Sequence, residues 1–179
     1  SLNSLFVNIE HIDISINLIE YQTNQNLFKN LNKLKHLNLS STGLSSLTLL
    51  DFEGSVELSW LDLSFNKLTI IKSNDFENTI GLNYLYLENN MIFYIEKYSF
   101  SFLQVLIYLN LNNNELKYFD LNEFNSKFLR HVHLKNNKIE HLDGDKGLKK
   151  VPVEIFDVSF NKILEMNLRK YFDKINSIN

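Results

Sequence analysis

The chain has 179 residues, 44% of them hydrophobic, which is enough for one domain with a continuous core. Its 18 basic and 21 acidic residues give a net charge of −3 without long runs of one sign, so charge offers no support for a nucleic acid or anionic membrane partner. The sequence has no cysteine, which excludes disulfide and thiolate–metal scaffolds, and no apolar run is long enough to span a membrane.

A pattern of alternating apolar residues recurs along the chain and predicts its strands in order. The copies start near residues 9, 34, 58, 82, 106, 129 and 153, at steps of 25, 24, 24, 24, 23 and 24 residues. In the copy WLDLSFNKL, Leu61 and Leu63 alternate with polar or outward residues as in a half-buried strand. Because one copy cannot bury this face alone, the pattern predicts stacked repeats with a parallel sheet over a shared core.

An asparagine follows the alternating residues in six of the seven copies, and Thr42 takes its place in the other. A buried amide costs a few kcal/mol unless its hydrogen bonds are met, and stacked repeats would meet them at every level. The threonine keeps a hydroxyl but less bonding capacity, which predicts a weaker rung. The predicted structural ladder consists of Asn17, Asn66, Asn90, Asn114, Asn137 and Asn161.

The second half of each repeat carries two further apolar positions. The first is occupied by Leu47, Ile71, Ile95, Phe119, Leu142 and Met166. The second is a phenylalanine, and its stacked rings are expected to form a spine inside the wall: Phe28, Phe52, Phe76, Phe100 and Phe124. The segment 141–154 departs from this pattern. It lacks the phenylalanine and contains Gly144, Gly147 and Pro152, which predicts an irregular loop with a change of curvature rather than a dedicated contact.

These motifs resemble the leucine-rich repeat family, LxxLxLxxNxL, over essentially the whole chain. Repeats of about 24 residues with this phenylalanine are similar to the extracellular "typical" subtype found in Toll-like receptors, insect immune repeat proteins and chaoptin-like proteins, although the usual convex proline is missing. The resemblance implies an α/β solenoid, a curved horseshoe with a parallel sheet on its concave face and irregular or 3-10 segments on its convex face.

Residues 1–179 are expected to form a single repeat domain that is part of a longer array. Leu2, Leu5 and Phe6 resemble the tail of a preceding repeat, and no polar cap follows the last copy. We therefore expect the ends to be covered, either by further repeats or by a homo- or hetero-oligomeric partner.

Strand alternation places the residues between the core leucines on the concave face. Trp60, Tyr84, Tyr86 and Tyr108 then form one exposed aromatic patch, which favours protein binding over a chance scatter of outward rings. The predicted contact residues are His36, Trp60, Asp62, Phe65, Tyr84, Tyr86, Tyr108, Asn110, His131 and His133.

Catalysis has little support, because the chain has no cysteine nucleophile, glycine-rich phosphate loop or HExxH motif. His131 and His133 with Asp157 on the next strand suit zinc or nickel, but ordinary contact residues are the favoured interpretation. The prediction is therefore a non-enzymatic protein with no cofactor, no metal, no nucleic acid and no membrane-spanning segment.

Two functions remain open at this point. The resemblance implies a ligand-recognition ectodomain of a Toll-like or innate-immune protein, and the alternative is a structural or cell-adhesion protein that assembles homotypically or heterotypically. It also implies an extracellular or cell-surface location, with the cytoplasm as the alternative. In a secreted protein Asn38, in the sequence NLS, would be a glycosylation site.

Overall fold

The computed structural model describes residues 8–20, 27–144 and 153–167. Leu2, Leu5, Phe6, Gly147 and Pro152 lie outside these ranges, so the expectations that rest on them stay predictions. In chain order the strands are β1 (His11–Asp13), β2 (His36–Asn38), β3 (Trp60–Asp62), β4 (Ile70–Ile71), β5 (Tyr84–Tyr86), β6 (Tyr94–Ile95), β7 (Tyr108–Asn110), β8 (Tyr118–Asp120), β9 (His131–His133), β10 (His141–Asp143), β11 (Ile155–Asp157) and β12 (Glu165–Asn167).

The main sheet has seven parallel strands in the order β1-β2-β3-β5-β7-β9-β11. Each residue pairs with its equivalent one repeat later, so Trp60 pairs with Tyr84 and Tyr84 with Tyr108. The central residue of the strands from β2 to β11 is buried, as Leu61 and Leu85 illustrate, because it alternates inward between two outward side chains. The predicted strands, their stacking and the inward position of the leucines are confirmed.

Two smaller parallel sheets form from the second half of the repeats. One pairs β4 with β6, and the other has the order β12-β10-β8. Ile71, Ile95, Phe119 and Leu142 lie in these strands, whereas Leu47 lies in a 3-10 helix, Leu47–Leu49. A second 3-10 helix spans Leu121–Glu123.

The architecture is a parallel β-solenoid, and this corrects part of the expected fold class. The described ranges contain no α-helix, so the α/β label is not confirmed. Segments that were expected to be irregular or 3-10 are short strands in several repeats, because backbone groups of neighbouring repeats can bond there as well. None of the helices in the described ranges is long and apolar enough to cross a membrane. In the segment 141–154, β10 remains in register with β8 and β12.

The asparagines of the ladder from Asn66 to Asn161 each bond the backbone of the preceding repeat. Asn90 Oδ1 accepts a hydrogen bond from the Leu68 N–H at 3.0 Å, and Asn90 Nδ2 donates to the Leu63 and Leu87 carbonyls, both at 3.0 Å. The partners are thus backbone groups rather than neighbouring asparagines. At the β1 end Asn17 is exposed, and it donates within its own repeat to Ile14.

Thr42 occupies the ladder position of its repeat and is fully buried. Its hydroxyl donates to the Leu39 carbonyl at 2.8 Å, while Asn66 Oδ1 accepts from the backbone N–H groups of Thr42 and Leu44 at 3.0 Å. The contact between the repeat of Thr42 and the following repeat is therefore complete, because Asn66 of the following repeat supplies the acceptor.

The phenylalanine spine is also confirmed. The rings of Phe28 and Phe52 stack with centroids 6.1 Å apart, those of Phe76 and Phe100 lie 6.0 Å apart, and those of Phe100 and Phe124 lie 4.9 Å apart. All five rings are buried in one hydrophobic core that runs from the second to the last described repeat.

Candidate functional site

The first and third residues of the main-sheet strands point away from the core and form a surface that we call the outward face. The alternation that buries the leucine at the centre of each strand places these side chains there. Seven of the ten predicted contact residues carry aromatic or imidazole rings that contact one another across the sheet. We call these seven the aromatic row: His36, Trp60, Tyr84, Tyr86, Tyr108, His131 and His133.

Ring contacts run without interruption from β2 to β9. The edge of His36 meets Trp60 with centroids 6.2 Å apart, and Trp60 lies 5.3 Å from Tyr86. Tyr86 lies 5.1 Å from Tyr108, and Tyr108 lies 5.1 Å from His133. These separations are those of favourable tilted aromatic pairs. The structure therefore brings together side chains that are far apart in sequence into one ring surface.

Tyr84 and His131 complete the aromatic row at its side. Tyr84 lies 6.4 Å from Tyr108 and His131 lies 5.8 Å from the same ring. Tyr84 is 39% exposed, whereas Trp60 and Tyr108 are half-buried because neighbouring rings cover them. The predicted patch is thus contiguous, but only part of each ring is open to solvent.

Asp62 and Asn110 lie on the outward face but also have a structural role. Asp62 Oδ1 accepts a hydrogen bond from the Ser64 N–H at 2.8 Å, and Asn110 Oδ1 accepts from the Asn112 N–H at 3.1 Å. Such side-chain bonds to the second following residue fix the turn after the strand. Asn110 is only 9% exposed, so it presents little surface to a partner. A recurring Asp or Asn two residues before Ser or Asn was the sequence signal for these turns.

Asn38 is the equivalent residue of β2. Its Oδ1 accepts from the Ser40 N–H at 3.0 Å and its Nδ2 donates to Asp13 Oδ2 at 3.2 Å. The residue pairs with Asp62 on β3, so a glycan on Asn38 would stand beside the aromatic row. The assignment of Asn38 as a glycosylation site stays a prediction.

Phe65 lies in the turn after β3 and not in the strand, although the sequence pattern grouped it with the outward strand positions. It has a φ of 56° and is 59% exposed. The same left-handed conformation recurs once in each repeat, with φ between 55° and 57°, at Ile16, Ser41, Phe65, Asn89, Asn113, Asn136 and Phe160. A phenylalanine here is strained as well as exposed, because side chains with a Cβ disfavour this region.

Three asparagines at this turn position form a row on the surface, in which Asn113 and Asn136 are exposed and Asn89 is half-buried. The sequence reasoning did not select them as contact residues. Asn113 Nδ2 donates to Asn89 Oδ1 at 3.0 Å, and Asn136 Nδ2 donates to Asn113 Oδ1 at 2.9 Å. Asparagine tolerates the left-handed conformation better than most residues, which explains its choice here.

Glu88 is a further residue that the sequence reasoning did not select. Its Oε2 atom is buried and has no hydrogen-bond partner among the described residues. Burial raises the pKa of Glu88, the bond to its own backbone N–H opposes this, and the nearby Asp62 carboxylate raises the pKa further. Burial also raises the pKa of Tyr86 and Tyr108, and the Glu88 carboxylate contributes to both. The signal in the sequence was an acidic residue where other repeats have Ser, Asn or Lys.

The two histidines of β9 were considered as metal ligands together with Asp157. His131 and His133 lie with ring centroids 6.3 Å apart, and Asp157 pairs with His133 in the sheet. Burial lowers the pKa of His133, the Asp157 carboxylate partly opposes this, and His131 lowers it further. In the part of the chain that the structure describes, no group of three or more His, Cys, Asp or Glu residues is arranged to hold a metal ion.

A cavity of about 280 Å³ lies on the other side of the solenoid, between β6 and β8. Tyr94 and Tyr118 form its rim, Phe100 and Phe119 its apolar lining, and Asp120 contributes a carboxylate. It occurs where the β4–β6 sheet ends and the β8–β10–β12 sheet begins. No sequence signal pointed to this cavity, because it arises where β6 and β8 lie in neighbouring repeats without pairing.

Comparisons with known proteins agree with this architecture. The family model described as Leucine Rich Repeat matches residues 57–79. The crystal structure of TLR13 in complex with ssRNA13 superposes with a TM-score of 0.67 at 23% identity, covering 95% of this chain and 27% of that chain. The functional domain of InlJ from Listeria monocytogenes superposes with a TM-score of 0.58 at 20% identity, covering 99% of this chain and 40% of that chain. The chain thus spans less than half the length of either protein, and no curated protein sequence matches it.

Proposed function

The chain is a leucine-rich repeat protein, and from this premise we propose that it is a non-enzymatic module that binds a protein partner on its outward face. The observation that carries the proposal is the unbroken series of ring contacts from His36 to His133, which crosses the five neighbouring strands β2, β3, β5, β7 and β9. Trp and Tyr are the residues most enriched among the anchors of protein interfaces. Their concentration on one surface supports binding better than catalysis.

Phe65 supports the same proposal independently. Both its exposure and its left-handed backbone cost free energy, and four of the other six repeats place Ser or Asn at this position, Ile16 and Phe160 being the exceptions. Contact with a partner would explain why a phenylalanine that lowers the stability of the free protein occupies this position.

We further propose that the module is the ligand-recognition ectodomain of a Toll-like or innate-immune protein, outside the cell or at its surface, and that the outward face is the concave face. The fold likeness to TLR13 and to InlJ supports this assignment. The TLR13 structure contains a single-stranded RNA. For this chain a protein ligand is favoured, because Asp62 and Glu88 would repel phosphates at the centre of the face.

Structural or cell-adhesion assembly is the second candidate. The observation in its favour is the asparagine row on the surface, Asn89, Asn113 and Asn136, whose side-chain amides already bond in series. A second copy of the chain would extend such a row. Homotypic assembly predicts self-association that falls when Tyr84 and Tyr108 are changed to alanine, if the outward face takes part. Sedimentation velocity of both proteins over a range of concentrations separates this from recognition of another partner.

The binding proposal is tested by selecting peptides from a displayed random library on the full chain. Selected peptides should bind the Tyr84→Ala/Tyr108→Ala variant at least about tenfold more weakly, since anchor residues each contribute more than about 1 kcal/mol. Tyr94→Ala is the matched control, because Tyr94 is also an exposed tyrosine at the start of a strand but belongs to the β4–β6 sheet. Selected peptides that bind all three proteins equally would contradict the proposal.

A further inference from the structure

We propose that the centre of the outward face receives a cationic side chain, an arginine or lysine of the protein partner, held between the rings of Trp60, Tyr86 and Tyr108 and the carboxylates of Asp62 and Glu88. The inference rests on the proposed function and names the chemistry that the partner must present. It concerns the three central strands β3, β5 and β7, where the rings and the carboxylates come together.

The rings provide a surface suited to a cation. Trp60 and Tyr86 are inclined at 49° with centroids 5.3 Å apart, and Tyr86 and Tyr108 are inclined at 37° with centroids 5.1 Å apart. Trp60, Tyr86 and Tyr108 are each half-buried, so part of each residue is open to solvent. A guanidinium or ammonium group within about 6 Å of aromatic ring faces is attracted by the ring quadrupoles, most strongly by Trp.

The carboxylates provide the hydrogen-bond acceptors. Glu88 Oε2 is buried without a partner, and a buried acceptor that is left unpaired costs free energy in the free protein. Burial raises the pKa of Glu88, the bond to its own backbone N–H opposes this, and the neighbouring Asp62 raises the pKa further, so a cation at this position would favour the charged carboxylate. A guanidinium group has several donors in a planar fork and bonds carboxylates strongly. An arginine would supply the missing partner once the half-buried Glu88 side chain rotates to bring Oε2 to the surface.

The distribution of charge favours a cation at this position. The segments 59–64, 83–88 and 107–112, which contain the three central strands, hold two acidic residues, Asp62 and Glu88, and no lysine or arginine. On the flanks, Lys35 pairs with Glu10 at 2.9 Å and Arg130 pairs with Glu154 at 3.2 Å, so the basic residues there are matched by acidic ones. The centre of the face is therefore negative and aromatic, which is complementary to a basic side chain and repulsive to a phosphate.

Trp60 is the only tryptophan of the chain, so its fluorescence reports directly on this site. The probe is a capped nonapeptide in which three arginines alternate with glycine pairs, compared with the same peptide carrying citrulline, which has the shape of arginine without its charge. We expect a saturable change of Trp60 emission with the arginine peptide and binding at least about tenfold weaker with citrulline.

Variants of the carboxylates complete the test. Glu88→Gln should weaken binding of the arginine peptide about tenfold, and Asp62→Asn should weaken it while keeping the turn, because Asn38 and Asn110 make the same turn bond in their strands. Glu77→Gln is the matched control. Glu77 is exposed and lies outside the main sheet, so its change alters the net charge equally and should leave binding within about twofold. Thermal melting confirms that each variant is folded.

Three outcomes would overturn the inference. The first is equal binding of the arginine and citrulline peptides, or no saturable response to either. The second is binding that is unchanged in Glu88→Gln but lost in Tyr86→Ala, which would leave the binding face in place and remove the cationic site. The third is tighter binding of a single-stranded 13-nucleotide oligouridine than of the arginine peptide, strengthened further by Glu88→Gln. That result would assign the face to nucleic acid and overturn the protein-binding proposal as well. The first two outcomes remove only the cationic site, because the protein-binding proposal is tested separately by the peptide selection.

Discussion

His11 and His36 lie on neighbouring strands with their Nδ1 atoms 2.6 Å apart and their ring centroids 4.4 Å apart. One Nδ1 must donate a proton and the other must accept it, so the two rings cannot both be cationic while this bond is present. The pKa of His36 is lowered by burial, and the charges of His11 and Lys35 lower it further. Protonation of His36 therefore works against the folded state.

The first prediction follows from the sign of this shift. Because the folded pKa of His36 lies below its unfolded value of about 6.5, the unfolded chain binds more protons in acid, and stability falls as the pH is lowered through this range. In His36→Gln the loss of melting temperature between about pH 7 and pH 5 should be smaller than in the native chain. The raised pKa of Glu88 acts in the opposite direction in both proteins and cancels in the comparison. An identical acid dependence would contradict the prediction.

The second prediction concerns the asparagine ladder. Asn90→Leu keeps a similar volume but removes the acceptor for the Leu68 N–H and the donor for the Leu63 carbonyl. We expect a loss of about 1–3 kcal/mol in the free energy of unfolding, measured by urea denaturation. Asn74→Leu, at an exposed asparagine, is the control and should change stability by no more than about 0.5 kcal/mol. Similar losses in the two variants would exclude a special role for the ladder.

The third prediction separates the core from the outward face. Phe100 is 1% exposed and stacks on both Phe76 and Phe124, so Phe100→Ala should cost about 3–5 kcal/mol. Tyr84 is exposed and its ring lies 6.4 Å from that of Tyr108, so Tyr84→Ala should cost no more than about 1 kcal/mol and leave the fold intact. The triple variant, with alanine at Trp60, Tyr84 and Tyr108, should also keep its fold. Its free energy of unfolding should fall by about a few kcal/mol, because the losses of the individual ring contacts add. If Tyr84→Ala unfolded the chain, Tyr84 would be a core residue.

The fourth prediction uses the left-handed turn. Phe65→Asn should raise the free energy of unfolding by about 1 kcal/mol, because asparagine adopts a φ of 56° at lower cost than phenylalanine. Phe93→Asn is the control, since Phe93 is similarly exposed but is not among the residues with positive φ. If Phe65 contacts the partner, the stabilised variant should also bind selected peptides more weakly. A stability unchanged by Phe65→Asn would mean that the turn imposes no strain.

The fifth prediction concerns secretion of the chain and the effect of a glycan on peptide binding. If the chain passes through a secretory pathway, Asn38→Gln should remove a glycan, seen as a loss of mass on gels and by mass spectrometry. Since Asn38 pairs with Asp62 beside the aromatic row, enzymatic removal of that glycan should strengthen binding of selected peptides. A chain secreted from eukaryotic cells without any glycan at Asn38 would contradict this assignment.

Repetition explains why so much of this molecule was predictable from its sequence. The period placed Leu61, Leu85 and Leu109 in equivalent strands, and strand alternation then set Trp60 and Tyr84 on the opposite face. The ladder and the spine followed in the same way, because each buried group recurs at the same depth in the next repeat.

Features that depend on how neighbouring repeats pack against one another were not predictable from the sequence. The two-residue strands β4 and β6 have no room for an alternating pattern, so only backbone hydrogen bonds define them. The burial of Glu88 Oε2 depends on how the adjacent turns close over it, and Asn110 is buried although its strand position is outward. A single sequence contains no local signal for either.

The short segment between Phe124 and β9 has a consequence for how such a chain changes in length. From Tyr118 in β8 to His131 in β9 the chain advances 13 residues, against 14 from Tyr94 in β6 to Tyr108 in β7, yet strand pairing is kept on both sides of the deletion. Phe124 keeps its regular distance from β8 and stacks on the spine, so the missing residue lies between Phe124 and β9. A one-residue deletion or insertion between the second sheet and the next main strand is therefore tolerated, whereas the same change within the eleven-residue motif would exchange buried and exposed faces. Variation in repeat length should accumulate in that return path.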